Sequence, residues 1–497
     1  MTMIDERRLW PLIEARAEAT PDALMVLADE AERTMTFAEY RDAVLRAAAG
    51  LAAKGVDHGT NVSWQLPTWI ESLVLVGALS RLGAVQNPII PIYRSREVGF
   101  AVKQTGASLL VVPSQWGGFD YEAMARDVAG GAEVLVADKQ LPEGDPALLS
   151  KYPDAGPEDV RWIFYTSGTT ADPKGARHTD ATVSAAAAAM SERLELTADD
   201  RQALIFPFTH IGGIIWLFSS LSSGCGNIVV EAFNPATTID LMDQHEMTLA
   251  GAGTFFHQTY LVEARNRAPR KLFTKVRAFP GGAAPKPPQL HKDLKAEVGG
   301  VGIVSGYGLT ECPILSMASV NDPDDKLANT EGRVTPGVDL RLVEGEIRVK
   351  APQLFKGYLD ESLNADAFDS DGYFRTGDLG ELDDGYVIIT GRLKDIIIRK
   401  GENISAKELE DLLHTHPKVA EAAVIGLPDP SSGERACAVV VARDAGDPVG
   451  FEEMVEFLKG KGITTQKLPE QLELVDVLPR NPTGKILKHE LQSRFTS

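Results

Sequence analysis

Chemistry concentrates first in the stretch Tyr165-Thr166-Ser167-Gly168-Thr169-Thr170-Ala171-Asp172-Pro173-Lys174-Gly175. Hydroxyl donors, glycine backbone N–H groups and a cation presented together suit a polyphosphate. The pattern G-x-x-x-x-G-K-[ST] is not met, because Lys174 lies between Pro173 and Gly175 and no Ser or Thr follows it. By composition alone a phosphate loop and a polar surface loop stand about equal. The apolar run from Val160 to Tyr165 reads as the buried strand that leads into it. The Ala- and Ser-rich run from Thr182 to Met190 reads as the helix that follows.

Further strings carry related chemistry. Val304-Ser305-Gly306-Tyr307-Gly308-Leu309-Thr310-Glu311-Cys312-Pro313 sets an aromatic ring between glycines. Tyr307 in such a slot can stack on a flat ring, Thr310 can bind a phosphate, and Glu311 offers a hard oxygen ligand to a cation. A helix cap built from Thr310 and Glu311 is the structural alternative. Phe279-Pro280-Gly281-Gly282-Ala283-Ala284 lets a flat ring approach the backbone, although plain turns use the same residues. In Thr376-Gly377-Asp378 the carboxylate can accept two hydrogen bonds from ribose hydroxyls. Leu204 to Gly213 reads as a strand running into a turn and a helix, with His210 at the turn. A lone histidine there is more often structural than catalytic. Trp216, further along that helix, either caps an apolar acyl pocket or fills the core. Pro482-Thr483-Gly484-Lys485 is a turn carrying one lysine, of a kind that is usually solvated.

In this order the strings resemble the motifs of the adenylate-forming (ANL) superfamily, which contains acyl- and aryl-CoA ligases, luciferases and the adenylation domains of peptide synthetases. The phosphate loop is similar to T-S-G-T-T-G-x-P-K-G, with Ala171 where the family usually has glycine. The type most similar is the acyl-CoA synthetase, or carboxylate–CoA ligase. The resemblance implies that Thr166, Ser167, Gly168, Thr169, Thr170 and Lys174 hold phosphates. It places Gly282, Ala283, Tyr307 and Gly308 around adenine, Thr310 at the α-phosphate, and Glu311 at Mg2+. Asp378 and Arg392 would bind the ribose, and Ile389 would pack on the adenosine. Lys394 would be the hinge, and Gly401 would line the pantetheine tunnel. His210, Gly212, Trp216 and Ile314 would form the carboxylate and acyl site, and Lys485 would stabilise the adenylation transition state. Thr209-His210 stands where peptide-synthetase domains resemble F-D-x-S, so the implied substrate is a carboxylic acid without an α-amine. Medium-chain, alicyclic or aromatic acids are favoured over very long ones.

The implied reaction uses ATP, Mg2+ and coenzyme A and proceeds through an acyl-adenylate. A stand-alone enzyme loading an acyl or aryl group onto a carrier protein is the alternative. A non-catalytic nucleotide-binding protein is disfavoured by the joint presence of Lys485, Glu311 and Asp378.

Elements that must position these residues are legible in outline. Leu9 to Ala17, Ala43 to Lys54 and Trp69 to Leu82 read as helices, and Asn61 to Leu66 and Ser108 to Val112 as strands. Such alternation implies an α/β fold of parallel sheets covered by helices on both faces. To this the resemblance adds a distorted β-barrel and a small mobile α+β domain, giving domains of 1–391 and 392–497. In the latter, Ala406 to His414 and Glu452 to Lys459 read as helices, and Ala422 to Ile425 and Ala436 to Ala442 as strands.

A chain of 497 residues with 44% hydrophobic and 24% charged residues has material for two domains and a large core. Its net charge of −20 argues against nucleic acid and anionic membrane surfaces as partners. Cys225, Cys312 and Cys437 are too few and too scattered for a disulfide framework or a zinc site, and fit a reducing cytoplasm. The N-terminus shows no apolar signal segment, and Leu204 to Val230 is too interrupted for a membrane span. A weak homodimer would be in keeping with the family.

Overall fold

The computed structural model describes residues 3–153, 156–166, 173–282, 286–399, 402–430, 432–481 and 484–496. Three sheets build the larger part. One has six strands in the order Lys174–Thr179, Val160–Thr166, Val85–Pro88, Asn61–Trp64, Leu109–Val112 and Glu133–Val136. Its pairings are parallel except for the first, where Lys174–Thr179 runs back along Val160–Thr166. A second sheet orders Arg201–Leu204, Gly226–Val229, Leu24–Ala28 and Met35–Thr36. The β-rich part is an eight-stranded, mostly antiparallel sheet that begins with Phe279–Gly281 and Ile303–Leu309. It continues through Cys312–Met317, Arg333–Val334, Tyr386–Arg392, Phe374–Asp383 and Glu346–Lys350 to Asp339–Val343.

Helices cover the sheets where apolar residues recur. The helix Phe37–Ala52 starts six positions earlier than its apolar spacing indicates, by comparison with Ala43. The cause is a capping box: the Thr36 side chain accepts from Glu39 N, and the Glu39 carboxylate accepts from Thr36 N. Its neighbour Ile70–Leu82 packs closely because residue 77 is glycine; a Cβ there would lie 2.5 Å from the Val44 side chain. Tyr40 stitches the pair, donating to the Leu73 carbonyl at 2.9 Å. The core between sheets and helices includes Trp10, Trp64, Trp162, Phe208 and Phe218.

A run expected to pass straight from the phosphate loop into a helix instead contains the extra strand Lys174–Thr179. The helix then covers Asp180–Leu194, with Thr179 as its cap. That strand is held from its other side: Leu359 N donates to Gly175 O at 2.7 Å, and Lys356 N to Arg177 O at 2.8 Å.

The C-terminal residues form their own sheet in the order Glu402–Ser405, Ile396–Arg399, Gly433–Ala442 and Val419–Asp429, with Gln471–Leu474 also paired to Gly433–Ala442. Ala406–Leu413 and Phe451–Gly460 pack on it around Ile404, Leu409, Val424, Val440 and Leu458. Among the described residues no helix is long and apolar enough to cross a membrane.

Candidate active site

The site lies where the edges of the six- and eight-stranded sheets meet the C-terminal segment. Thr166 and Lys174 face each other across paired strands. Ser167, Gly168, Thr169 and Thr170 lie outside the described residues, as do Ala283 and Gly401. The Lys174 ammonium sits 5.2 Å from the centroid of the Tyr358 ring, and the Tyr358 hydroxyl donates to Glu311 Oε1 at 2.7 Å. One aromatic ring thus spaces the cation from the carboxylate. The sequence reading missed Tyr358, which sits in an ordinary Gly-Tyr-Leu run.

Thr310 and Glu311 do not cap a helix. They are the two residues that join Ile303–Leu309 to Cys312–Met317, with Leu309 paired to Cys312 across the turn. A two-residue hairpin projects its loop side chains beyond the sheet edge. His178 holds the tip: its Nε2 donates to the Thr310 carbonyl at 2.8 Å, and its Nδ1 faces Thr182 Oγ1 at 2.9 Å. Burial drives its pKa down to about 4, so the ring is neutral and carries its proton at Nε2. No local pattern marks His178, whose partner is 132 residues away.

Next along the same strand, Tyr307 donates to Asp378 Oδ2 at 2.7 Å, and Arg392 Nε meets Asp378 Oδ1 at 2.6 Å. Asp378 is 2% exposed. Burial raises the Tyr307 phenol well above its ordinary value, with the Asp378 charge adding to it, and the group stays a donor. Asp378 and Arg392 are direct partners in the ladder between Phe374–Asp383 and Tyr386–Arg392. Glycines let the backbones close in: a Cβ on Gly282 would lie 2.4 Å from Gly306 O, and one on Gly308 2.5 Å from Ile314 N. Ile314 itself takes φ 51°, a left-handed value, with its carbonyl accepting from Thr335 Oγ1 at 2.8 Å and Gln353 Nε2 at 3.0 Å.

His210 caps the helix Ile211–Ser223, its Nδ1 accepting from Gly212 N at 3.1 Å. That bond assigns the ring proton to Nε2. Burial lowers its pKa to about 4, so it offers a neutral N–H donor. Beside it runs a cleft lined by Ile90, Tyr93, Phe164, Thr209, Ile211 and Thr310, among others. Trp216 is buried within the main core, where its carbonyl accepts from Gln202 Nε2 at 3.1 Å.

Lys485 enters from the C-terminal segment. Gly484 before it has φ 81°, and a Cβ there would sit 3.0 Å from Phe255 Cβ. Arg480 stands 5.9 Å from the centre of the Phe255 ring. Lys485 reaches surroundings that hold Arg392, Lys394, Asp378 and Asp395. Burial first, and then the two neighbouring cations, lower its pKa to about 8. Ser405 Oγ donates to the Thr390 carbonyl at 2.9 Å, and Lys488 Nζ lies 2.7 Å from Glu410 and 3.8 Å from Asp395.

The residues fit Mg2+ carried on a polyphosphate. Glu311 supplies one oriented carboxylate, and no group of three or more His, Cys, Asp or Glu able to hold a metal alone occurs among the described residues.

Residues 13–359 match the AMP-binding enzyme model, and residues 408–485 match the model of the AMP-binding enzyme C-terminal domain. The chain therefore belongs to the AMP-binding enzyme family, the adenylate-forming superfamily, and is of its AMP-forming acyl-CoA synthetase type. It is similar to the medium-chain fatty-acid–CoA ligase of Escherichia coli K12, at 30% identity over 96% of this chain and 88% of that one. It is also similar to the salicyl-AMP ligase / salicyl-S-ArCP synthetase of Mycobacterium tuberculosis H37Rv, at 31% identity over 98% and 90%. ATP-bound MatB from Rhodopseudomonas palustris superposes with a TM-score of 0.86 at 29% identity, covering 98% of both chains. The apo form of that enzyme gives 0.75 at 28% identity, over 99% of both.

Two outcomes are expected. Asp378→Asn removes the charge from two short hydrogen bonds and should raise the KM for ATP about tenfold to a hundredfold, read from steady-state kinetics. The lowered pKa of Lys485 means that the ligand-free protein sheds this proton as pH rises through about 8, below the lysine's ordinary value of 10.5. Between those values the unfolded chain holds the proton and the folded one does not, so this group's destabilising effect fades as pH rises. A bound polyphosphate restores the charge. Calorimetry of ATP binding near pH 8.5, in buffers of different ionisation enthalpy, should therefore show net proton uptake that disappears in Lys485→Met.

Proposed function

We propose that this chain joins a medium-chain, alicyclic or aromatic carboxylic acid to coenzyme A, with ATP cleaved to AMP and pyrophosphate through an acyl-adenylate. The observation that carries the reading is Asp378 held between Arg392 and Tyr307, with Lys485 near enough to respond to the charges of Arg392, Lys394 and Asp378. This arrangement brings the C-terminal lysine to the residues suited to nucleotide.

In the first half-reaction a carboxylate oxygen attacks the α-phosphorus of ATP, and the bond to pyrophosphate breaks. His210, neutral with its proton on Nε2, donates to the carboxylate. Tyr307 and the glycines of 282 and 308 enclose adenine, and Asp378 and Arg392 take the ribose. Thr310, fixed through His178, and Lys485 meet the charge that grows on the α-phosphate. Glu311 would hold Mg2+, which would neutralise charge on the phosphates.

The second half-reaction is attack of the coenzyme A thiolate on the acyl carbon, with AMP leaving. We place the domain boundary at Gly391/Arg392 and the pivot at Lys394, about which rotation withdraws Lys485 and brings Gly401 to the tunnel. The higher score against ATP-bound than apo MatB supports a small domain standing here in the adenylation arrangement, since an offset of one domain lowers the score without changing the fold. The three cysteines are free and buried, in keeping with action in the cytoplasm. The salicyl-AMP ligase relative supports a second reading, in which a carrier-protein thiol replaces coenzyme A.

AMP release over a panel of acids, with and without coenzyme A, tests the reading. Release that depends on coenzyme A supports it, whereas pyrophosphate formation indifferent to coenzyme A favours the carrier. Lys485→Ala should abolish adenylation, losing roughly 100- to 1000-fold, and largely spare thioester formation from supplied acyl-AMP. Phe255→Ala should slow the same half-reaction about tenfold by loosening the seat of the lysine loop. Equal loss in both halves would overturn the two-arrangement scheme.

A further inference from the structure

The cleft beside His210 contains a polar group that the adenylation chemistry leaves unused. Thr209 is 1% exposed, and its Oγ1 has no hydrogen-bond partner. The residue lines the cleft between His210 and the apolar wall of Ile90, Phe164 and Ile211. An unpaired buried hydroxyl costs about 1–3 kcal/mol, so an internal partner would be expected if packing alone had shaped this corner.

The backbone around it is already committed. Phe208 N donates to Thr68 Oγ1 at 3.0 Å, and Thr68 Oγ1 donates to the Phe206 carbonyl at 3.1 Å. His210 N donates to the Pro207 carbonyl at 2.9 Å. Thr68, reaching this turn from the segment before Ile70–Leu82, is thus bonded on both sides, whereas Thr209 within the turn is not. Gln65, bonded to the backbone of two residues of the cleft wall, repeats the pattern. Gln65 is fully buried and donates its amide to the Ile90 and Tyr93 carbonyls, each at 3.0 Å, while its Oε1 has no partner.

We propose that Thr209 is a specificity-determining residue that hydrogen-bonds a hydroxyl or keto oxygen on the acyl portion of the acid, near its carboxylate. The proposal rests on the ligase reading of this cleft. Nearness to the carboxylate follows from the neighbours: His210 precedes the helix on one side of Thr209, and Thr310 of the hairpin tip lines the same cleft. A hydroxyl both donates and accepts, so either oxygen function satisfies it. A site that bonds a substrate oxygen discriminates against the analogue lacking it more sharply than an apolar wall discriminates by size.

The test measures kcat/KM for AMP release with matched acids: octanoate against 3-hydroxyoctanoate, cyclohexanecarboxylate against its 3-hydroxy and 3-oxo derivatives, and benzoate against 3-hydroxybenzoate. In at least one pair the oxygenated acid should be preferred about tenfold or more. Thr209→Val, which keeps the shape and removes the hydroxyl, should erase that preference by lowering kcat/KM for the oxygenated acid and raising it for the plain one. Thr209→Ser should retain it. Parity in every pair, preference for the plain acids, or a preference that survives Thr209→Val overturns the proposal. The wild-type ratios decide the matter even if the valine variant fails to fold. Silence with every acid overturns the ligase reading and this inference together, whereas activity without preference overturns this inference alone.

Discussion

A carboxylate almost wholly removed from water governs this structure. Asp378 must find a cation, since leaving such a charge unpaired costs several kcal/mol, and the strand register supplies Arg392 directly opposite. Tyr307 completes its shell from a third strand. One requirement therefore fixes the relation of three strands, the tilt of the aromatic ring and the point where the chain leaves for the C-terminal sheet. Arg392 is the last residue of its strand and the cap of the short turn Leu393–Asp395. The pair that suits a ribose thus stands where the chain turns toward the C-terminal sheet.

Around that pair a protein of net charge −20 gathers two further positive groups, Lys394 and Lys485. Global charge sets solubility, but a substrate with several phosphates responds to the local field. Uncharged rings complement the cations. His178 and His210 are both kept neutral by burial, one holding the hairpin tip and the other offering its N–H to the cleft.

Part of this is legible in residue order, and part, Lys485 above all, only through the family resemblance. Thr310-Glu311, Thr376-Gly377-Asp378 and Gly484-Lys485 were each identified in the sequence, and the helices and parallel strands of the first half followed from apolar spacing. What escaped depends on contacts between distant segments. His178 matters through a carbonyl far along the chain, and Tyr358 through a carboxylate on another hairpin. The strand Lys174–Thr179 exists because residues 356–359 bond its outer edge, a partner invisible in the local pattern. The early start of Phe37–Ala52 was different: Thr36 and Glu39 display the capping spacing openly, and apolar periodicity drew the boundary too late.

Ile314 carries a consequence for divergence within such a scaffold. A β-branched residue at φ 51° is held in a conformation that costs roughly 1–3 kcal/mol, secured by two hydrogen bonds to its carbonyl and by close contact with Gly308. Asparagine or glycine would relax that backbone. At the position expected to face the acyl group, a change of side chain can thus be thermodynamically downhill, the reverse of the usual opposition between new activity and stability. Lineages exploring new acids through residue 314 would start with a reserve of folding free energy already in hand.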